Sequence, residues 1–220
     1  MESSFVIIKP DGTVRRRVSA LVLDALMNRG YKVVAFKEMK VPDSLARLHY
    51  AIHKDKPFFP WLVDFISSAP VLAMIFEADD VIQGVRDALG ATFVQKADPS
   101  SLRGKYGIWA GINIAHASDA PETATTEIEL WTNEGGLEES SDAEELARAY
   151  VERHSSGDVD YTMKIRDVVK TAIENKDLSD NVLDALTDLL GKDAIGISQD
   201  EIISLATVIF DFVKEEVEKE

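Results

Sequence analysis

A histidine in the stretch NIAHASD, residues 113–119, has the surroundings of a reactive side chain. His116 follows an apolar run, and Ser118, Asp119 and Glu127 come within the next dozen residues. A neutral imidazole is nucleophilic near pH 7, and a partner on one ring nitrogen leaves the other nitrogen free to attack. Glu127 is the predicted partner. On spacing alone, the more frequent outcome for a single histidine is an ordinary hydrogen-bonded polar group.

Three cations stand at the predicted ends of apolar elements. Lys9 follows the run FVII, Arg86 lies shortly before Gly90, and Arg103 follows a long irregular segment. Cations that converge on one point bind a phosphate chain, arginine by fork-like hydrogen bonds and lysine as a point charge. The alternative is that they are solvated surface charges, the usual state of lysine and arginine. Lys9 favours the phosphate interpretation, because it directly follows four apolar residues.

The sequence gives little support to metal or thiol chemistry. His49 and His53 stand four residues apart in HYAIH, a spacing typical of zinc ligands on one helix face. The pattern HExxH is absent and no third ligand is apparent, so we do not expect zinc there. The chain has no cysteine, which excludes disulfide bonds and thiolate nucleophiles.

The elements that must position these residues follow a βαββαβ order. Short apolar runs predict strands at 5–9, 31–39, 70–78 and 106–112. Apolar residues at helical spacing predict helices at 18–29, 43–53, 58–68, 78–90 and 122–131. We therefore expect an α+β, ferredoxin-like sandwich with a four-stranded antiparallel sheet. His116 would lie at the end of the last strand.

The region after Trp131 differs in composition and charge. Residues 1–136 carry 15 basic and 17 acidic residues, whereas residues 137–220 carry 9 and 22, a net charge of −13. Residues 134–145 have linker character, and helical periodicity follows at 160–175, 180–190 and 199–218. The prediction is a first domain at 1–136, then a linker and an acidic, all-α extension at 137–220.

Composition also narrows the cellular context. The acidic extension argues against duplex nucleic acid as a partner, because phosphate binding needs cations. The apolar run near the N-terminus is too short for a signal peptide or a membrane span, so we predict a cytoplasmic protein with no membrane contact.

Several segments, taken together, resemble the nucleoside diphosphate kinase family. NIAHASD is similar to the family signature N-x-x-H-[GA]-S-D, and the likeness runs in register from Phe5 to about Trp131. It includes FVIIKPDGTVRR, HYAIHKDKPFF, SSAPVLAMIFE, VRDALGAT, SLRGKY and EIELW. The resemblance implies transfer of the γ-phosphoryl group of a nucleoside triphosphate such as ATP to nucleoside diphosphates, by a ping-pong route through a phosphohistidine.

The resemblance also implies residue roles. His116 would be the nucleophile, Glu127 would hold its other ring nitrogen, and Ser118 would support Glu127. The positions that match phosphate and ribose contacts are Lys9, Tyr50, Arg86, Thr92, Arg103 and Asn113. Phe58 matches an aromatic residue that stacks on the base, and Asp119 a structural acid beside the site. Mg²⁺ would be bound by the nucleotide phosphates, with no ligand from the protein.

The chain also departs from the family pattern. Its loop 93–101, Ala91, Ala110 and Ile112 differ from the usual residues. The family forms hexamers or tetramers built from dimers through the sheet edge and a helix, so a homo-oligomer is implied. The extension replaces the usual short tail and could cap or block that assembly.

Two other functions are consistent with the sequence. One is a nucleotide-binding regulatory protein without turnover, which the retained cations and His116 argue against. The other is a scaffold whose C-terminal helices dock a protein partner. For the extension itself, a solvated acidic surface that aids solubility is at least as frequent as a specific partner surface.

Overall fold

A four-stranded antiparallel sheet forms the centre of the N-terminal region in the computed structural model, which describes residues 1–157 and 159–219. The strands lie in the order β2-β3-β1-β4, and their bounds are β1 Glu2–Ile8, β2 Lys32–Met39, β3 Val71–Ala78 and β4 Ala115–Ala117. The central strand β1 pairs with β3 and β4, so that Ile7 lies opposite Ala73 on one side and His116 on the other. The predicted ferredoxin-like α+β fold is confirmed.

Helices cover both faces of this sheet. Those of the N-terminal region are α1 Pro10–Thr13, α2 Arg16–Met27, α3 Asp43–His49, α4 Phe59–Ser67, α5 Val81–Leu89, α6 Leu102–Tyr106 and α7 Pro121–Asn133. Successive residues of β1 point to opposite faces. Val6 and Ile8 therefore pack with α2 and α5, while Phe5 and Ile7 pack with α3, α4 and α7. Burial on both faces explains why β1 reads as a continuous apolar run rather than an alternating one.

The predicted strand at 106–112 is wrong. This segment leaves α6 and turns back on itself, with an isolated pairing of Trp109 with Ile112, and Ala110 adopts a positive φ of 44°. The sheet strand begins only at Ala115. Ile108 and Ile112 are nevertheless fully buried, because they pack with residues of the C-terminal helices. The segment is apolar because it is buried by these helices, and not because it belongs to the sheet.

In the described part of the chain, four helices follow residue 136. They are α8 Ala143–His154, α9 Thr162–Asn175, α10 Asp180–Gly191 and α11 Gln199–Glu218, and the last three correspond to the predicted helical segments. Ser198 and Glu201 form a capping box at the start of α11. Within the described residues, no helix is long and apolar enough to cross a membrane.

The helix α8 was not predicted, since its first residues fall in the expected linker. Its buried residues Ala143, Ala147 and Tyr150 join the apolar cluster of α2 and β1. The Tyr150 hydroxyl lies 2.7 Å from Ser19 Oγ and accepts a hydrogen bond from Arg16 Nη1 at 3.1 Å. The first helix of the extension is therefore part of the core of the N-terminal region.

The segment before α8 runs beside the edge strand β2. The Ser140 amide donates to the Val34 carbonyl at 2.9 Å, and Val34 stands where the pairing of β2 with β3 is irregular. Lys37 Nζ donates to the carbonyls of Gly135 and Gly136, both at 2.9 Å. An edge strand offers unpaired backbone groups to other chains, and here part of that edge is covered by the same chain.

The helices α9 to α11 also pack against the N-terminal region. Arg15 Nη1 donates to Thr162 Oγ1 at 2.8 Å, and Arg16 Nε donates to the Ile195 carbonyl at 2.9 Å. The Trp61 indole donates to the Val208 carbonyl at 2.9 Å, which joins α4 to α11. The division at residue 136 stays a prediction, because all three apolar clusters draw on residues from both sides of it.

We predict that replacing Tyr150 with alanine lowers the free energy of unfolding by about 3 kcal/mol, the cost of deleting a large buried ring together with its hydrogen bonds. Leu146 lies on the same helix and is 53% exposed, so Leu146→Ala is a matched control that should change stability by less than about 0.5 kcal/mol. Urea denaturation measures both. Equal effects of the two variants would show that α8 is not part of the core.

Candidate active site

His116 lies in β4 and is held by a carboxylate from α7. Its Nε2 is 2.7 Å from Glu127 Oε1, and Ser118 Oγ donates to Glu127 Oε2 at 2.6 Å. A carboxylate only accepts, so the neutral imidazole carries its proton on Nε2 and leaves Nδ1 unprotonated. The geometry gives a histidine with one nitrogen fixed and the other able to act as a nucleophile.

A second histidine stands beside the first. The ring of His49 meets that of His116 edge to face, with centroids 4.7 Å apart, and the buried Trp131 indole donates to His49 Nδ1 at 3.3 Å. Burial, together with the neighbouring His116, holds the pKa of His49 well below its usual range. His49 is therefore neutral, and its proton lies on Nε2. That nitrogen is buried and has no hydrogen-bond partner among the described residues.

The contact of His49 with His116 was not predicted, because His49 stands out in the sequence only through its zinc-like spacing from His53. The helix α3 ends at His49, and His53 lies in the following 3-10 turn at 51–53, so the expected shared helix face is wrong. The ring of His53 instead lies near Phe58, at a centroid distance of 5.6 Å. Trp131 lies 82 residues further along the chain, and nothing in that spacing predicts its contact with His49.

His49, His116 and Glu127 form the one group in the described part of the chain whose donor atoms are close enough for a metal, all within 4.8 Å. Both oxygens of Glu127 already accept hydrogen bonds, and the Trp131 indole occupies His49 Nδ1. Mg²⁺ also prefers oxygen ligands in octahedral geometry. These residues therefore do not fit a protein-bound Mg²⁺.

A tight turn after β1 positions the segment that leads into β4. The Asp11 carboxylate accepts from the Ile114 amide at 2.9 Å, and the Lys9 amide donates to the Ile114 carbonyl at 2.8 Å. Ile114 has a positive φ of 69°, which is strained for a β-branched residue. A Cβ at Gly12 would stand 2.7 Å from Ile8 Cγ2 and 3.2 Å from the Ile114 carbonyl oxygen, so only glycine allows this close approach.

Lys9 is a buried cation without a carboxylate at ion-pair distance in the described chain. Its Nζ donates to the Gly111 carbonyl at 2.8 Å and lies 5.2 Å from the centre of the Phe65 ring. Burial lowers the pKa of Lys9 to about 8; Asp11 opposes this shift and Arg103 adds to it. An incoming anion would therefore stabilise the charged form of Lys9.

Arg103 is held by backbone carbonyls rather than by an acid. Its Nη1 donates to the Gly90 carbonyl and its Nη2 to the Ala115 carbonyl, each at 2.8 Å. Burial and the nearby charge of Arg86 lower the pKa of Arg103 to about 10. Arg86 itself is exposed on α5. The Arg103 Nε is buried and lacks a hydrogen-bond partner within the described residues.

The remaining predicted residues are placed in different ways. Asn113 Nδ2 donates to the Thr92 carbonyl at 2.6 Å, and its buried Oδ1 has no partner in the described chain. The Tyr50 ring packs against His49, and burial raises the pKa of its hydroxyl. Phe58 is 43% exposed at the start of α4. Asp119 is exposed and makes no hydrogen bond or ion pair with the described residues, so no contact links it to the site.

An apolar pocket of about 580 Å³ continues from these groups. Phe58, Trp61 and Thr92 form one part of its lining, and Ala110 and Gly111 another. Gly111 accepts from Lys9, and Thr92 accepts from Asn113. The pocket therefore adjoins the backbone groups that bind Lys9 and Asn113. A flat apolar group attached to an anionic chain fits this combination.

The sequence matches a known family over the same region. Residues 2–136 match the family model described as nucleoside diphosphate kinase. The chain is 47% identical over 137 residues to the nucleoside diphosphate kinase of Methanothermobacter thermautotrophicus, a match that covers 62% of this chain and 91% of the relative. The enzyme of the same name from Microcystis aeruginosa is 43% identical with the same coverage.

Solved structures give the same assignment. A halophilic nucleoside diphosphate kinase from Halobacterium salinarum, in complex with CDP, is 39% identical and has a TM-score of 0.59; the match covers 68% of this chain and 97% of that one. The nucleoside diphosphate kinase of Aquifex aeolicus is 36% identical with a TM-score of 0.56, covering 59% and 93%.

We predict that the protein binds inorganic pyrophosphate less tightly as the pH rises, because Lys9 loses its charge above about pH 8. The affinity should fall by about tenfold per pH unit between the pKa of Lys9 in the free protein and its higher pKa in the complex. Calorimetry between pH 7 and about pH 9.5 measures this fall. The ligand titrates in the same range, so Lys9→Gln is the reference. If the pyrophosphate affinities of the wild type and of Lys9→Gln fall in parallel as the pH rises, the loss of charge on Lys9 is not what weakens binding.

Proposed function

Because this chain belongs to the nucleoside diphosphate kinase family, we propose that it transfers the γ-phosphoryl group of ATP to nucleoside diphosphates through a phosphorylated His116. The chain is an enzyme of that family. The observation that carries the proposed route is the pairing of His116 Nε2 with Glu127, which leaves Nδ1 as the free nucleophile.

In the first half-reaction, the lone pair of His116 Nδ1 attacks the γ-phosphorus. The N–P bond forms as the bond to the β–γ bridging oxygen breaks, and the diphosphate leaves with that electron pair. The proton on Nε2 stays in place, and Glu127 stabilises the positive charge that develops on the ring. In the second half-reaction, a terminal oxygen of another nucleoside diphosphate attacks the phosphorus and the N–P bond breaks.

The cations of the site would stabilise the transferring group. Phosphoryl transfer depends mainly on positioning and on compensation of negative charge. Lys9 and Arg103 are held by carbonyls rather than by carboxylates, so their charges are available to phosphate oxygens. Arg86, Thr92, Tyr50 and Asn113 are proposed to contact phosphate and ribose. Mg²⁺ enters with the triphosphate as part of the substrate and shields its charge.

The base is proposed to stack on the exposed face of Phe58. Stacking on an aromatic ring tolerates every base, because each base has a π-face. The apolar lining of the pocket around Phe58 supports this placement. A site of this kind accepts purine and pyrimidine diphosphates alike and leaves discrimination to groups at the edge of the base.

Phosphoenzyme trapping tests the proposed route. Incubation with γ-labelled ATP should give an acid-labile, base-stable label on the protein, which then passes to added nucleoside diphosphate. His116→Asn should take up no label, and Glu127→Gln should slow labelling by about 10²-fold or more, since the ring loses its charged partner. Label that persists in His116→Asn would exclude the mechanism. Nucleotide binding without label in the wild type would favour the regulatory or scaffold function.

We also propose that copies of this chain do not assemble by pairing their β2 edges. The family resemblance predicts a homo-oligomer built from dimers through the sheet edge and a helix, as a hexamer or tetramer. Here the Ser140 amide donates a hydrogen bond to the Val34 carbonyl of β2, and Tyr150 packs on α2 beside Ser19. The segment from Ser140 to α8 thus occupies the surface that such a dimer would bury, and a homo-oligomer would form through other faces.

Hydrogen exchange checks this assembly proposal. The Ser140 amide should exchange slowly, at a rate that does not change over a roughly hundredfold range of protein concentration, because its acceptor lies in the same chain. Protection of β2 that appears only at high concentration, together with fast exchange at Ser140, would show that a second copy pairs with this edge.

A further inference from the structure

We propose that the C-terminal end of α11 forms the far wall of the base pocket, and that the Glu215 carboxylate favours bases with an exocyclic amino group. This inference rests on the proposed function, since it requires a nucleotide in the pocket. It assigns a role in substrate choice to the acidic extension, beyond the phosphoryl-transfer chemistry of residues 1–136.

The pocket is built by residues from both ends of the chain. Phe58 and Ala110 come from the N-terminal region, whereas Phe212, Glu215 and Glu216 come from α11. The pocket keeps a volume of about 580 Å³ with α11 in place, which lies within the usual range for small-molecule sites. The helix is therefore a wall of the pocket and not a plug in it.

The wall is firmly attached. Trp61 stacks on Phe65 at 4.9 Å with an interplanar angle of 11°, and its indole donates to the Val208 carbonyl at 2.9 Å. The ring of Phe212 lies 5.3 Å from that of Trp61. Leu205 and Ile209 are fully buried in the same apolar cluster. These contacts fix the rotation of α11 about its axis and so determine which side chains face the pocket.

The two acids of this wall differ in their partners. Glu216 accepts from Lys219 at 2.7 Å, so its charge is already compensated. Glu215 is exposed and has no cation at ion-pair distance within residues 1–157 and 159–219. Its carboxylate offers acceptors only, and it remains available to a ligand.

An unpaired carboxylate at the edge of the base would favour some bases over others. Cytosine carries an amino group where uracil has a carbonyl at the same ring position. An amino group donates to a carboxylate, whereas a carbonyl oxygen and a carboxylate repel each other. CDP and UDP have the same sugar, phosphates and ring size, so their ratio isolates this edge. Adenine also carries an exocyclic amino group and falls on the favoured side.

The test compares CDP and UDP as phosphoryl acceptors of the full-length protein. We expect the wild type to show about a three- to tenfold higher kcat/KM for CDP, the size of one solvent-exposed, charge-assisted hydrogen bond. Glu215→Gln should bring the ratio close to one. Glu215→Lys should move it below one, because lysine donates to the uracil carbonyl. A change of charge at residue 215 affects the phosphates of CDP and UDP equally, so the ratio of their kcat/KM values reports only on the base.

Glu152 provides the control, since it is an exposed glutamate of α8 that does not line the pocket. Glu152→Lys should leave the CDP/UDP ratio at the wild-type value. A wild-type ratio near one, or a ratio that Glu215→Lys does not change, would overturn the proposal. Calorimetric dissociation constants for CDP and UDP give the same ratio without turnover. If the wild type transfers no phosphoryl group, the proposed function fails, and the binding ratio still decides the role of Glu215.

Discussion

The turn that follows β1 is the constraint on which the site depends. Asp11 and Lys9 bind both backbone groups of Ile114, and in doing so they hold that residue in a backbone conformation it would not adopt on its own. The same turn places the Lys9 ammonium at the Gly111 carbonyl. One short loop thus sets the position of a cation, the path of the chain around Asn113, and the start of the strand that carries His116. Backbone strain of this kind persists where the surrounding contacts over-determine it.

Several polar groups of the candidate site are buried at a cost to stability. Lys9 and Arg103 are buried against neutral carbonyls, and burial lowers the pKa of both. Polar atoms of Arg103, Asn113 and His49 are buried without partners in the described chain. Each such group costs free energy in the unliganded protein. Glu127 differs from these groups, because both of its oxygens are bonded, whereas the others would find partners in the proposed substrate.

The sequence predicted well those features that depend on local pattern. The run FVII predicts β1 because both faces of that strand are covered, and the caps of α10 and α11 lie where serine precedes the apolar period. Prediction of secondary structure failed where residues are buried by segments that lie far away in the sequence. Ile108 and Ile112 are apolar because the C-terminal helices cover them, and α8 lies hidden in a Glu- and Ala-rich stretch that binds α2. The pairing of His49 with Trp131 joins residues whose spacing carries no signal.

The hydrogen bond from Trp61 to Val208 has a thermodynamic consequence. The pocket beside it is shared between α4 and α11, so any ligand that fills the pocket contacts both. The part of its binding free energy that comes from α11 would then add to the work needed to detach α11, and detachment of α11 would weaken ligand binding by the same amount. Occupancy of the site and integrity of the extension are reciprocally linked. A small molecule in this pocket would therefore lower the susceptibility of the acidic helices to proteases.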